Sequence, residues 1–322
     1  RLRFEKSPNM KLALFRQGEG VPLLDECSAV ARNGTRTWQA LNLKGNEFFF
    51  GGGMQNGQFS HRGHKINIAV SSNWDEGGSP NAAPVYLSSL GYGVFRSTWS
   101  EGTYDFLSAP TVFAHEEQRF DAFYVVAAER DFKALLEGYT YITGRPFMPP
   151  VYGLGLGDSD CYHNDRHNNN TDVALAVAQG YVDADMPLGW MLVNDGYGCG
   201  YGKGPQVFPS DLSVLTGVAS GLSKVGAYTG LWSGTDFTNV ANEVSKGKVR
   251  VLKTDVAWVG DGGKFAFDAV VFAAAGIKNN SDARPFIWTV EGTSGTHRMA
   301  VMWTGDNSGD FESIRWQVPT FV

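Results

Sequence analysis

Cysteine is scarce: Cys27, Cys161 and Cys199 are the three in 322 residues, far apart and without a CxxC pair. That spacing predicts neither a disulfide framework nor a zinc site, and leaves three free or buried thiols as the expectation. Positive charge is short as well. Lys and Arg number 27 against 33 Asp and Glu, the net charge is −6, and no Lys/Arg run exceeds two residues. With no basic field for a phosphate backbone, nucleic acid is not an expected partner. Long apolar runs are missing too: Phe265 to Ala275 is interrupted by Asp268 and falls short of the roughly 20 residues that span a bilayer, so no membrane is expected. No apolar leader precedes the start at Arg1, which suits a mature or trimmed product and leaves the compartment open, secretion and the cell surface included. Asn33, Asn169 and Asn279 each open an Asn-x-Ser/Thr triplet, a pattern that chance also produces in a chain of this length.

Nucleotide and metal motifs are equally wanting. Gly51-Gly-Gly53 and Gly153-Leu-Gly-Leu-Gly157 lack the spacing of a phosphate loop leading into a helix. The pairs His61/His64 and His163/His167 have no acidic or cysteine companion at metal-site spacing. Neither a cofactor nor a metal is expected.

Present in quantity are glycine, at 40 residues, and aromatics, at 13%. Glycine concentrates in turns and aromatics line concave binding sites, a combination suited to a β-rich or α/β enzyme. Residues 1 to 145 alternate short β-type runs with Gly, Asn and Ser: Lys11 to Phe15, Glu47 to Phe50, Lys65 to Val70, Val85 to Ser88, Gly93 to Phe95 and Phe123 to Ala127. That pattern predicts an antiparallel β-sandwich, followed by a helix over Asp131 to Tyr141 with Phe132, Leu135, Leu136 and Tyr139 on one face. The Pro-rich joint Pro146 to Pro150 marks a change.

From 146 to 322 apolar runs alternate with helical stretches. Strands are expected at Tyr152 to Leu156, Gly189 to Val193, Ala227 to Trp232, Val249 to Val256, Pro285 to Val290 and Met299 to Trp303. Helices are expected at Thr171 to Ala184, Leu212 to Lys224, Thr238 to Ser245 and Phe265 to Ala275. Repeated βα units predict a (β/α)8-type barrel, of which this chain carries about six strands, so the second unit is expected to be incomplete at its C-terminal end.

In such barrels the carboxyl ends of the strands point into the active site. Four of the six expected strands finish on an aspartate: Asp158, Asp195 after Asn194, Asp255 and Asp306. Asp also opens loops and caps helices, which weakens any one of these more than the four together. Asp255 and Asp306 are the chosen pair, on next-but-one strands whose ends lie about 10 Å apart. Inward-leaning side chains could close that gap to the roughly 5 to 5.5 Å that a retaining glycosidase needs. Lys253, two residues before Asp255, points to the same side and favours an ionised carboxylate. Trp303, close before Asp306, offers an apolar wall that favours a protonated one. Trp190, Trp232, Trp258, Trp288 and Trp303 are placed at or near strand ends, where indole faces could stack on the C–H faces of a sugar or simply fill the barrel wall.

These residues resemble a known family. Trp303-Thr-Gly-Asp-Asn-Ser308, preceded by Gly295-Thr-His-Arg-Met-Ala300 and followed by Ser313-Ile-Arg-Trp-Gln-Val-Pro319, is similar to the general acid/base segment of glycoside hydrolase family 31. Lys253-Thr-Asp255 resembles its nucleophile strand, Arg284-Pro-Phe-Ile-Trp-Thr289 the strand between, and Gly91-Tyr-Gly-Val-Phe-Arg96 its N-terminal sandwich. Asp255-Val-Ala-Trp-Val259 and Asn194-Asp-Gly-Tyr-Gly198 depart from the α-glucosidase pattern and look more like the α-N-acetylgalactosaminidase-type subgroup. The resemblance implies a carbohydrate substrate and exo-acting hydrolysis with retention, Asp255 being the nucleophile and Asp306 the general acid/base. Asp195, Arg298 and Trp303 are implied as contacts of the sugar in the −1 position, with Asp158, Asn194, Lys253, Trp258 and Trp288 completing the expected substrate wall. An α-glucosidase, an α-galactosidase, a transglycosylase and a non-catalytic carbohydrate-binding derivative are the alternatives.

Overall fold

The structure, a computed structural model, describes residues 2–4, 10–161, 171–195, 212–233, 239–255 and 262–321. Eleven antiparallel strands come first: β1 (Leu2–Phe4), β2 (Leu12–Leu14), β3 (Leu24–Asn33), β4 (Arg36–Leu41), β5 (Phe49–Met54), β6 (Lys65–Ile68), β7 (Asn81–Ser88), β8 (Tyr92–Arg96), β9 (Gly102–Asp105), β10 (Thr111–His115) and β11 (Ala122–Val126). They form a seven-stranded sheet, ordered β1-β2-β3-β4-β10-β9-β6, and a four-stranded one, ordered β11-β8-β7-β5. β6 shows why such segments become strands: Ile66 and Ile68 are buried while Lys65 and Asn67 face water, the period-2 alternation of a half-buried sheet. Aromatic rings from both sheets fill the core, with Tyr86 stacked on Phe113 at 4.4 Å and Phe49 against Phe106 at 4.5 Å. Helix α1 (Phe132–Thr143) follows, its first turn capped by Asp131, whose carboxylate accepts from the Lys133 amide at 2.9 Å. Leu135 anchors it, fully buried with Leu87 and Ala127.

The next part alternates. β12 (Leu156–Ser159), α2 (Val173–Asp183), β13 (Leu188–Leu192), α3 (Ser213–Lys224), β14 (Tyr228–Ser233), α4 (Val240–Ser245), β15 (Val249–Thr254), α5 (Gly262–Asn280), β16 (Phe286–Thr289), β17 (Ala300–Met302) and α6 (Phe311–Phe321) succeed one another. Six parallel strands lie in sequence order, β12 to β17, as a curled half-barrel. Side chains sort by parity. Met191, Leu231, Leu252 and Ile287 face outward into a cluster shared with Ala178, Leu222 and Val270 of the helices. Trp190, Leu192, Trp232, Val251 and Phe286 face the inside of the curl.

The expected strand over Tyr152 to Leu156 is displaced: residues 151–154 form a 3-10 turn and the strand is Leu156–Ser159. Pro149 and Pro150 withhold two backbone donors just upstream, and the turn tucks Gly153 against the Phe286 ring, where a Cβ would come within 2.5 Å. The thiol expectation also fails in one place: Cys161 is disulfide-bonded, while Cys27 is free.

The two parts are joined beside the strand ends of interest. Asn81 of β7 donates to the Trp303 carbonyl at 2.9 Å and accepts from the Gly292 amide. Gly305 holds φ +94 against the Trp74 ring, at a distance no side chain could share. Thr320 of α6 accepts from the Gly57 amide at 2.9 Å.

Candidate active site

Asp255 follows the last residue of β15 and is 7% exposed. Parity carries Val251, Lys253 and then Asp255 to the inner face, opposite Leu252. Lys253 is buried, and its ammonium bridges two carboxylates: 2.9 and 3.0 Å to the oxygens of Asp195, and 3.1 Å to Oδ2 of Asp255. Burial alone would lower the Lys253 pKa, but the two carboxylates outweigh it and hold it raised, so the cation is secure. The Trp232 indole N–H donates to Asp255 at 3.2 Å. Asp195 takes a further hydrogen bond from the Ser159 hydroxyl. The Lys253 ammonium also lies 4.8 Å from the ring centroids of both Trp288 and Trp303, which meet each other at 4.5 Å.

Asp306 lies four residues beyond β17, exposed at the mouth. β16 separates β15 from β17, so Asp255 and Asp306 do stand on next-but-one strands. The Asp306 carboxyl is raised above its ordinary value by partial burial, then by the charges of Asp255 and Asp195, with Lys253 opposing. The expected direction is thus carried by burial together with neighbouring anions, the latter not foreseen from the sequence.

Several expected site residues lie elsewhere. Asp158 faces outward, where it accepts from the Tyr181 hydroxyl of α2 at 2.6 Å. Parity explains this: Gly157, packed on the Trp190 ring, and Ser159 point inward, so Asp158 between them cannot. Asn194 is fully buried and spends its amide on the Trp232 backbone, accepting from N at 2.9 Å and donating to O at 3.4 Å. It extends the β13–β14 ladder beyond β13. Arg298 is exposed in the 3-10 turn Thr296–Arg298, its stem laid against Gly144 after α1, and the structure does not bring it into the Lys253 cluster. Trp190 lies mid-strand against Phe286 and Trp288 as barrel filling. Trp258 falls outside the described residues.

Two residues escaped the sequence reading. Ser159 was legible from strand parity. Glu291 lies two residues beyond β16, is 0% exposed, and neither of its carboxyl oxygens has a hydrogen-bond partner among the described residues. Burial first and the Asp255 charge second push it up to about 9. Asking what each strand ends on would have found it at β16.

The opposite end of the same sheet is different. Two cavities of about 680 and 600 Å³ open there around Gly226 and Tyr228, but Lys224, Lys246, Lys248 and Arg250 line the first and no carboxylate does. The acidic groups gather at the carboxyl ends of β13, β15, β16 and β17, the end where barrel enzymes carry their chemistry.

Fold and site together describe an α/β protein in which antiparallel sheets precede a curled half-barrel of six parallel strands, with a lysine-bridged carboxylate cluster and paired indoles at its mouth. Comparisons give the particular family. Residues 4–105 match the glycosyl hydrolase 31 N-terminal galactose mutarotase-like domain, and residues 264–322 match the glycosyl hydrolases family 31 TIM-barrel domain. The chain belongs to glycosyl hydrolase family 31. It is 26% identical over 165 residues to alpha-glucosidase 2 of Bacillus thermoamyloliquefaciens, a match covering 48% of this chain and 20% of that protein. It is 29% identical over 112 residues to alpha-xylosidase A of Aspergillus niger, covering 34% and 14%. Among solved structures, the GH31 dextranase of Flavobacterium johnsoniae, complexed with glucose, aligns over 99% of this chain and 49% of its own, with TM-score 0.80 and 16% identity. The cycloalternan-forming enzyme of Listeria monocytogenes, in complex with a pentasaccharide substrate, aligns over 99% and 40%, with TM-score 0.77 and 14% identity. The matches to the curated relatives span about a fifth or less of their length.

Proposed function

We propose that this chain, divided into a sandwich over residues 1–145 and a barrel unit from 146, belongs to a retaining exo-acting α-glycoside hydrolase. The observation that carries the reading is the division of labour among the carboxyls at one end of the sheet. Asp255 is held against a secure cation and an indole N–H, whereas Asp306, nearer solvent, is biased toward its protonated form. An anion and an acid at the same mouth are what double displacement needs.

In the first step the Asp255 carboxylate bonds to the anomeric carbon as the glycosidic bond breaks, and Asp306 gives its proton to the departing oxygen. In the second, water loses a proton to Asp306 and bonds to the same carbon as the ester to Asp255 breaks. Two inversions leave the configuration retained. Asp195, fixed by Lys253 and Ser159, faces the same space and suits a sugar hydroxyl, while Trp288 and Trp303 offer apolar faces to the ring.

The departures from the α-glucosidase pattern after Asp255 and Asn194 favour an α-N-acetylgalactosaminide as substrate. The names of the relatives, an α-glucosidase and α-xylosidases, keep glucosides and xylosides as the alternatives. Transfer to an acceptor sugar in place of water is a second reading, favoured by the fold likeness to a cycloalternan-forming enzyme. A panel of aryl α-glycosides headed by the N-acetylgalactosaminide, with the product anomer followed by NMR, tests all of this. The reading expects one glycoside to be cleaved with the α-anomer released first. Release of the β-anomer would overturn retention, and inertness toward every member would overturn the assignment.

A further inference from the structure

We propose that Glu291 is a positioning residue for the nucleophile: an uncharged carboxyl built into the wall between the ends of β15 and β17, oriented to steady the Asp255 carboxylate. The inference rests on the reading of Asp255 given above. It begins from geometry. β16 lies between β15 and β17, so the segment following Thr289 runs between Asp255 and Trp303. The Val290 amide still reaches the Thr254 carbonyl, at 3.4 Å, and the Trp303 amide reaches the Thr289 carbonyl at 3.1 Å. Glu291 is the next residue along.

Its backbone is pinned on both sides. The Glu291 amide donates to the Thr289 hydroxyl at 3.2 Å. Asn81 accepts from the following Gly292 amide and donates to the Trp303 carbonyl, tying this segment to the strand that leads to Asp306. The side chain is therefore held away from water, with no donor to meet either oxygen among the described residues. An anion in that position would be severely penalised. The charge that acts on it is that of Asp255, just beyond β15. Asn81, from the sandwich, is neutral. Lys253 is engaged by Asp195 and Asp255. Asp255 owns a cation and an indole N–H, whereas Glu291 has neither among the described residues. The high proton affinity of Glu291 follows from the same two causes, burial and Asp255. A side chain needed only for packing would be apolar. A neutral carboxyl adds an O–H donor beside an anion, and such contacts often tighten only when substrate is bound.

The test uses the full-length protein and the variants E291Q, which keeps a neutral donor, and E291L, which removes it. In infrared difference spectra the wild type should show a protonated-carboxyl carbonyl band at pH 7 that E291Q lacks. With the best aryl glycoside, E291L should lose about 10- to 100-fold in kcat while KM stays within about threefold. E291Q should stay within about threefold of wild type in both. If E291L does not fold, the infrared band and the E291Q kinetics still decide. An ionised Glu291 in the infrared, an E291Q variant as impaired as a misfolded one, or an E291L variant with unchanged kcat would overturn the proposal. A wild type that cleaves no glycoside while the carbonyl band is present would instead sink the hydrolase reading.

Discussion

Two buried glutamates in this molecule could hardly be treated more differently. Glu47, in the sandwich, receives the hydroxyls of Ser88 and Tyr92, each at 2.6 Å, and the Lys44 amide at 3.3 Å. Glu291, in the barrel, receives nothing among the described residues. Burial raises both, and in Glu47 those hydrogen bonds work against the rise. Glu26 follows the sandwich pattern, accepting from the Leu12 amide at 2.7 Å and from Gln39 at 2.6 Å. The difference teaches that burial of a carboxyl is not itself a functional sign, because the sandwich gives buried Glu26 and Glu47 donors for their oxygens. An unsatisfied one beside a lysine-bridged pair is the sign, since it costs stability for which no packing gain compensates.

Four substitutions would break or sharpen that contrast. The largest expected effect is on E291Q. Free glutamate titrates near 4.5 and folded Glu291 near 9, so the native state holds a proton that the unfolded chain has lost between those values. Wild-type stability therefore falls as pH rises from about 4.5 to about 9, and E291Q should escape the fall. The gap between the two in urea melts should grow across that window toward an upper limit of about 6 kcal/mol. Next comes K253M, which leaves Asp195 and Asp255 buried without their cation and should cost about 3 to 5 kcal/mol in the same melts at pH 7, with turnover lost. E47A strands the Ser88 and Tyr92 hydroxyls without their acceptor and should cost about 2 to 4 kcal/mol at acid pH, with a relief as pH rises above about 4.5 that has the same sign as that of E291Q and is smaller. N81A is the mildest, about 1 to 2 kcal/mol from two buried backbone groups left unpaired. Its measurable mark should be faster amide exchange at Gly292.

Much of this was legible in the residues. Five of the six parallel strands and helices α1 to α5 were visible as apolar runs, because strands buried on both faces advertise themselves; β12, which starts four residues later than expected and is partly exposed, was misplaced. Sandwich strands β1, β3, β4, β9 and β10 were not read. β3 carries Asp25, Glu26, Ser28, Arg32 and Asn33, and its irregular register with β4 blurs any alternation. Helix α6, which docks against the sandwich through Thr320, also passed unread, its sequence having served only as a family motif.

At the site, the placing of Lys253 beside Asp255 followed from period-2 parity and is what the structure has. The same parity, applied to β12, would have exchanged Asp158 for Ser159. Asn194 was misread for a different reason: a polar residue at a strand end serves equally well to continue the ladder, and only its complete burial reveals that it does. Lys253 itself gathers Asp195, Asp255, Trp288 and Trp303, residues from four different strand ends, and no spacing in one dimension could announce that convergence.

The most direct test of the account is covalent. The wild-type protein would be incubated with a fluorinated glycosyl fluoride matched to its best substrate, a reagent that slows breakdown of the glycosyl ester, then digested and analysed by mass spectrometry. The account predicts one added sugar, carried on Asp255, and none in D255A. A label on Asp306 or Glu291, or steady turnover with no labelled peptide, would contradict it.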